Sequence, residues 1–142
     1  MAIEQTLAII KPDGMKHQNE ILERIEKTRL TLINSKRVYI DRETAGCFYN
    51  HIKAKGKIYD SLIDYITSDE VLVLLYKGEN AISRLRAITG PTDPKKADKG
   101  TIRGDLGADD KAIADAEERA VQNLIHTSGN LEDSVREASY FF

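Results

Sequence analysis

Apolar positions fall into two rhythms along this chain: short continuous runs, and repeats spaced by three and four. Thr6-Leu7-Ala8-Ile9-Ile10 is a compact apolar run halted by Lys11-Pro12-Asp13-Gly14, which predicts a buried strand ending in a turn. Asn19–Thr28 puts Ile21, Leu22 and Ile25 on one face with charged residues outside, the pattern of an amphipathic helix. Leu30–Ile40 alternates loosely and carries several β-branched residues, so it predicts a second strand. Arg42–Lys53 reads as a helix with Ala45, Phe48, Tyr49 and Ile52 inward and Asp41 as its cap. Tyr59–Ile66 reads as another helix, and Val71–Tyr76 (VLVLLY) is the strongest buried-strand signal. Glu79–Ile88 follows as a helix closed by Gly90-Pro91. After a loop at Thr92–Thr101, the acidic stretch Asp109–Arg119 is helix-prone, and Val121–His126 is a fourth strand. Leu131–Ala138 is a last helix capped by Asn130. Helices alternating with four strands predict an α/β or α+β sandwich on one sheet.

Composition narrows the class. At 142 residues, 41% hydrophobic and 31% charged, the chain reads as one soluble globular domain, and neither a disordered tail nor a fibre. The net charge of -2 argues against bulk attraction to nucleic acid or an anionic membrane. That total conceals a segment, residues 77–103, of net +4 beside residues 104–118 of net -5. Ordinary solvated surface is one reading of the split, and a local anion site the other. Cys47, the single cysteine, excludes an intramolecular disulfide and suits a reducing compartment. No apolar run approaches the ~20 residues that cross a bilayer. The first residues lack a secretory pattern, so the cytoplasm is the expected location.

Common catalytic patterns are missing: no GxxxxGK[ST] loop, no GxGxxG, no Cys/His zinc spacing and no GxSxG elbow. His126 leaves a strand-like run into Thr127-Ser128-Gly129, a position that can present an imidazole in a cleft. A structural or surface histidine is the alternative, and His17 and His51 are weaker candidates still. Lys11 follows a buried strand, where lysines are usually solvated, although Pro-Asp-Gly would hold its backbone. Tyr49 reads as core, and Cys47 as a packed small hydrophobe.

Four blocks together resemble the nucleoside diphosphate kinase family: TLAIIKPDG (Thr6–Gly14), ENAISRLRAITGPTDP (Glu79–Pro94), KGTIRGDL (Lys99–Leu106) and NLIHTSGNLEDSVREASYFF (Asn123–Phe142). Order and spacing fit over nearly the whole chain. The resemblance implies a ferredoxin-like sandwich, with a four-stranded antiparallel sheet covered by helices. It implies transfer of the terminal phosphate of a nucleoside triphosphate, typically ATP, to a nucleoside diphosphate, in two half-reactions through a phosphohistidine, with Mg²⁺. His126 matches the nucleophile and Glu137 the residue that orients its ring. Lys11 matches the lysine on the phosphates and sugar. Arg86, Thr92 and Arg103 match phosphate-binding positions, and Asn123 the ribose contact. Tyr49 and Ser128 match residues beside the histidine. Mg²⁺ is expected on the nucleotide phosphates, with no protein metal ligands. Dimer-based homo-oligomers, tetramers or hexamers, are implied.

Departures accompany the match. Thr127 and Gly129 replace the family's usual neighbours of the serine, and Lys57-Ile58-Tyr59 stands where a Pro-Phe-Phe stretch stacks the base, leaving Ile58 or Tyr59 to pack there. Residues 107–122 form a longer loop than the family's common form, suited to a flap or an oligomer contact. These departures motivate one alternative: a catalytically silent, nucleotide-binding regulatory member of the same family.

Overall fold

The computed structural model describes residues 3–142. Strands β1 (Ile3–Ile10), β2 (Thr31–Val38), β3 (Val71–Glu79) and β4 (Ile125–Thr127) form one sheet in the order β2-β3-β1-β4, with every pairing antiparallel. Helices α1 (Gln18–Glu26), α2 (Arg42–Phe48), α3 (Lys57–Ile66), α4 (Ala81–Thr89), α5 (Ile102–Leu106), α6 (Lys111–Ala116) and α7 (Leu131–Ser139) complete the fold. This is the ferredoxin-like α/β sandwich that the resemblance implied.

The continuous apolar runs in β1 and β3 arise because both sheet faces are covered. Leu7, Ile9, Val71, Val73 and Leu75 pack with Phe48, Tyr49, Ile63 and Ile66 on one side. Ala8, Ile10, Leu72, Leu74 and Tyr76 pack with Ile21, Ile25 and Leu85 on the other. Burying each large aliphatic side chain contributes about 1.5–3 kcal/mol, so these two layers supply most of the driving force. In register, Ile9 faces His126 across β1 and β4. Paired residues share a face, so the sheet directs the His126 ring towards the layer of Phe48 and Tyr49.

Several boundaries differ from the sequence expectation. Strand β3 runs three residues past Tyr76, because Lys77, Gly78 and Glu79 pair with Gln5, Glu4 and Ile3. The following helix therefore starts at Ala81, after Asn80 turns the chain with a φ of 51°. The helix over Arg42–Lys53 splits into α2 and a 3-10 turn at Asn50–Lys55. The fourth strand keeps only Ile125–Thr127, because Leu124 adopts a φ of 73° and breaks the extended run. Cys47 is exposed, on the opposite side of α2 from buried Ala45 and Phe48. The caps behave as read: Asp41 accepts from the Thr44 amide at 2.7 Å and Asn130 from the Asp133 amide at 2.8 Å.

Candidate active site

Three chain segments meet where β1 ends and β4 begins. The turn after β1 is pinned in place. The Lys11 amide donates to the Leu124 carbonyl at 2.8 Å, and the Leu124 amide donates to Asp13 Oδ2 at 3.1 Å. Gly14 is required by this approach, since any Cβ there would collide with the Leu124 carbonyl oxygen. Lys11 is thereby drawn inward until only 7% of it is exposed, contrary to the usual fate of a strand-end lysine. Its Nζ donates to Asn123 Oδ1 at 2.8 Å, and Asn123 Nδ2 donates to the Thr92 carbonyl at 2.9 Å.

Arg103 sits in the first turn of α5, which Thr101 caps by accepting from the Gly104 amide at 3.0 Å. Its guanidinium is gripped by backbone carbonyls from separate segments: Nε to Asn123 at 3.1 Å, Nη1 to Gly90 at 3.0 Å and Nη2 to Ile125 at 2.6 Å. Burial, with the nearby Arg86 charge, pushes the Arg103 pKa down to about 10. Burial, reinforced by Arg103, pushes Lys11 down to about 7. These cations are confined without direct carboxylate partners, an arrangement suited to a polyanionic ligand.

His126 Nε2 lies 3.0 Å from Glu137 Oε1, and Ser128 Oγ donates to the same carboxylate oxygen at 2.6 Å. Burial pushes Glu137 up, but the hydrogen bonds from His126 and Ser128 outweigh it, and the carboxyl ends below its ordinary value. Burial holds His126 below its ordinary value, partly offset by Glu137. A neutral imidazole that donates from Nε2 to an ionised carboxylate carries its lone pair on Nδ1. That Nδ1 makes no hydrogen bond among the described residues. Phe48 meets the imidazole edge-on at 5.1 Å between centroids and Tyr49 does so at 6.3 Å.

A cleft of about 660 Å³ brings together Lys11, Tyr49, Arg86, Thr92, Arg103, Asn123, His126 and Glu137 of the sequence candidates. Ser128 lies fully buried behind it, touching Glu137. Ile58 and Tyr59 do not line it, because α3 begins at Lys57 and carries Tyr59 against the core. His51, the weak candidate, is on its wall. Arg136 was missed: it lines the cleft, donates to the Phe48 carbonyl at 3.3 Å and approaches Glu137 Oε2 at 3.7 Å. Its place next to Glu137 on the same helix was the available signal.

A ferredoxin-like sandwich with a tautomer-fixed histidine facing buried cations defines a class of α/β enzyme that handles phosphorylated ligands. The family model described as nucleoside diphosphate kinase matches residues 4–142. Nucleoside diphosphate kinase of Pyrococcus furiosus is 42% identical over 142 residues, covering 99% of this chain and 83% of that protein. That of Wolbachia pipientis from Culex pipiens is 40% identical, covering 100% and 96%. Among solved structures, a transition-state mimic of the Borrelia burgdorferi enzyme with bound vanadate and ADP superposes with a TM-score of 0.92 at 29% identity, covering 99% of this chain and 87% of that one. The NDP kinase of Pyrobaculum aerophilum gives 0.89 at 30% identity, covering 99% and 96%. The chain belongs to the nucleoside diphosphate kinase family.

Proposed function

We propose that this protein transfers the terminal phosphoryl group of a nucleoside triphosphate, typically ATP, to a nucleoside diphosphate through a phosphohistidine on His126. The observation that carries this reading is the Glu137 bond to Nε2, which leaves Nδ1 as the nucleophilic nitrogen in a cation-lined cleft. Nδ1 attacks the terminal phosphorus, the N–P bond forms, and the bridging oxygen leaves with its electron pair on the nucleoside diphosphate. The second diphosphate reverses the step. Glu137 stabilises the ring as charge develops, and Ser128 holds Glu137. Arg86 and Arg103 compensate the phosphate charge, with Lys11 and Thr92 placing the phosphates and Asn123 the ribose. Tyr49 keeps a buried hydroxyl with no protein partner among the described residues, a donor held for a ligand oxygen.

Among the described residues no group of three His, Cys, Asp or Glu side chains could hold a metal. The cleft's cations and amides fit Mg²⁺ only as part of the nucleotide complex, its oxygen ligands coming mainly from the phosphates. Bound there, the ion would neutralise phosphate charge. No described helix is long and apolar enough to cross a membrane, which is compatible with the expected cytoplasmic location. The whole described chain acts as one catalytic domain. The free edge of β2, with Leu32 and Ile33 exposed, supports assembly into a homo-oligomer built from dimers.

Incubation with γ-labelled ATP is expected to yield an acid-labile, base-stable phosphoprotein that is discharged by GDP. Labelling of wild type no stronger than of His126→Ala would refute the transfer reading. If ADP still bound, that result would leave a silent nucleotide-binding protein.

A further inference from the structure

The cleft wall that carries Asn123 is braced from behind by residues outside the phosphate chemistry. Residues 107–122 leave α5, form α6 and return to Asn123. Asp109 and Arg119 close this excursion with two parallel bonds, Nη1 to Oδ2 at 2.7 Å and Nη2 to Oδ1 at 2.9 Å. The same carboxylate accepts from the Gln122 amide at 2.8 Å, the residue immediately before Asn123. At its other end the excursion reaches the Thr92 loop: Asp93 Oδ1 accepts from the Lys111 amide and the Lys95 amide, each at 3.1 Å. One segment therefore ties together the backbone of Asn123 and the loop whose Thr92 carbonyl holds the Asn123 side chain.

The quality of the fork separates it from surface ion pairs nearby. Lys57–Glu118 has side chains 79% and 60% exposed, and a pair of that kind contributes little. Asp109 and Arg119 are only 16% and 30% exposed, and a bidentate fork fixes geometry as well as charge. The Arg119 bonds hold Asp109 down at about 2, so the pair stays ionised over the whole working range.

We propose that the Asp109–Arg119 fork is a positioning element of the nucleotide site, setting Asn123 through Gln122 where it orients Lys11. This rests on the reading of the cleft as a nucleoside polyphosphate site. Neither residue lines the cleft, so both act through Asn123.

The test measures ADP affinity, kcat and KM for Asp109→Ala, Arg119→Lys, Asn123→Ala and Asp109→Ala/Asn123→Ala. Asp109→Ala is expected to raise the ADP Kd and KM about tenfold. Its kcat should stay within about twofold, because the fork places the nucleotide and leaves the reacting imidazole untouched. Arg119→Lys keeps the charge but loses the fork, so it should weaken ADP by a smaller factor; it replaces Asp109→Ala in the comparison if that variant does not fold. In the Asn123→Ala background the Asp109→Ala loss should vanish, since the residue it acts through is gone. Unchanged ADP affinity in a folded fork variant overturns the proposal. So does an equal loss with and without Asn123. Failure of wild type to bind ADP would instead overturn the reading of the cleft. The fork is then judged by hydrogen exchange of the Asn123 side-chain amide without nucleotide. Faster exchange in the fork variant supports it, and unchanged exchange overturns it.

Discussion

Burial pushes the pKa values of His126 and Lys11 in the same direction, with opposite chemical consequences. For His126, the proposed nucleophile, a lowered pKa preserves the lone pair, so attack is expected to persist into mildly acidic solution and to fail only once pH falls through the depressed value. For Lys11 a pKa of about 7 means the charged form predominates below neutrality and is lost as pH rises. The free enzyme should therefore show a bell-shaped kcat/KM profile, with an acid limb from His126 and an alkaline limb opening near pH 7 from Lys11. Bound phosphates favour the Lys11 ammonium, so the alkaline limb of kcat should lie higher than that of kcat/KM. Steady-state kinetics between pH 5 and 9 check this. A kcat/KM that stays flat from pH 7 to 9 would show that Lys11 does not carry its charge to the substrate. Arg103 needs no such pH tuning, because its pKa of about 10 keeps it charged throughout.

Among elements, the turn after β1 and the kinked approach to β4 act as one joint. Leu124 holds a left-handed backbone that costs an ordinary residue roughly 1–2 kcal/mol, and the hydrogen bonds from the Lys11 amide and to Asp13 retain it there. Gly14→Ala is expected to destabilise the fold by about 1–3 kcal/mol through overpacking, read from denaturant midpoints. It should weaken nucleotide binding as well, because displacing Leu124 displaces Asn123. A variant as stable as wild type would mean the two segments part without cost. The sequence made β1, β3, the face of α2 and the caps at Asp41 and Asn130 legible, since each is written in local periodicity or in one side chain. It did not reveal the joint. Val121–His126 reads as continuous strand because nothing in Asn123-Leu124 signals a left-handed residue. The tail of β3 was hidden for a related reason: Lys77-Gly78-Glu79 is polar, and only its pairing with β1 makes it strand. Lys11, Arg86, Arg103, Asn123, His126 and Glu137, which line one cleft, were singled out through resemblance. The carbonyl cage of Arg103 and the Asp109–Arg119 fork were not, because backbone acceptors and non-local ion pairs leave no mark on spacing.

For the whole molecule, the sheet has two edges, the long β2 and the three-residue β4. Strand β2 stands at the edge, exposed along nearly its entire length, with Leu32 47% and Ile33 41% accessible and Tyr39 just beyond it at 67%. Such an edge offers unpaired backbone groups to another chain unless it is protected. A second copy of this chain is the proposed occupant. Light scattering or sedimentation should give a mass at least twice 15.9 kDa. Ile33→Lys, placed at the irregular step in the β2–β3 register, should lower that mass while leaving the secondary structure intact. A wild-type monomer at micromolar concentration would contradict the assembly.

The bond from the Leu7 amide to Ser128, 121 residues apart, spans almost the full length of the chain. The two halves of the candidate site are therefore made at different times. Ser128 follows Leu7 from the ribosome by 121 residues, and the helix bearing Glu137 comes later still. At roughly 5–20 residues per second the delay is on the order of ten seconds. Through that interval the nascent chain exposes the edge of β1 that β4 will pair with and lacks the proposed nucleophile. On the proposed mechanism, phosphotransfer waits until β4 has closed the sheet.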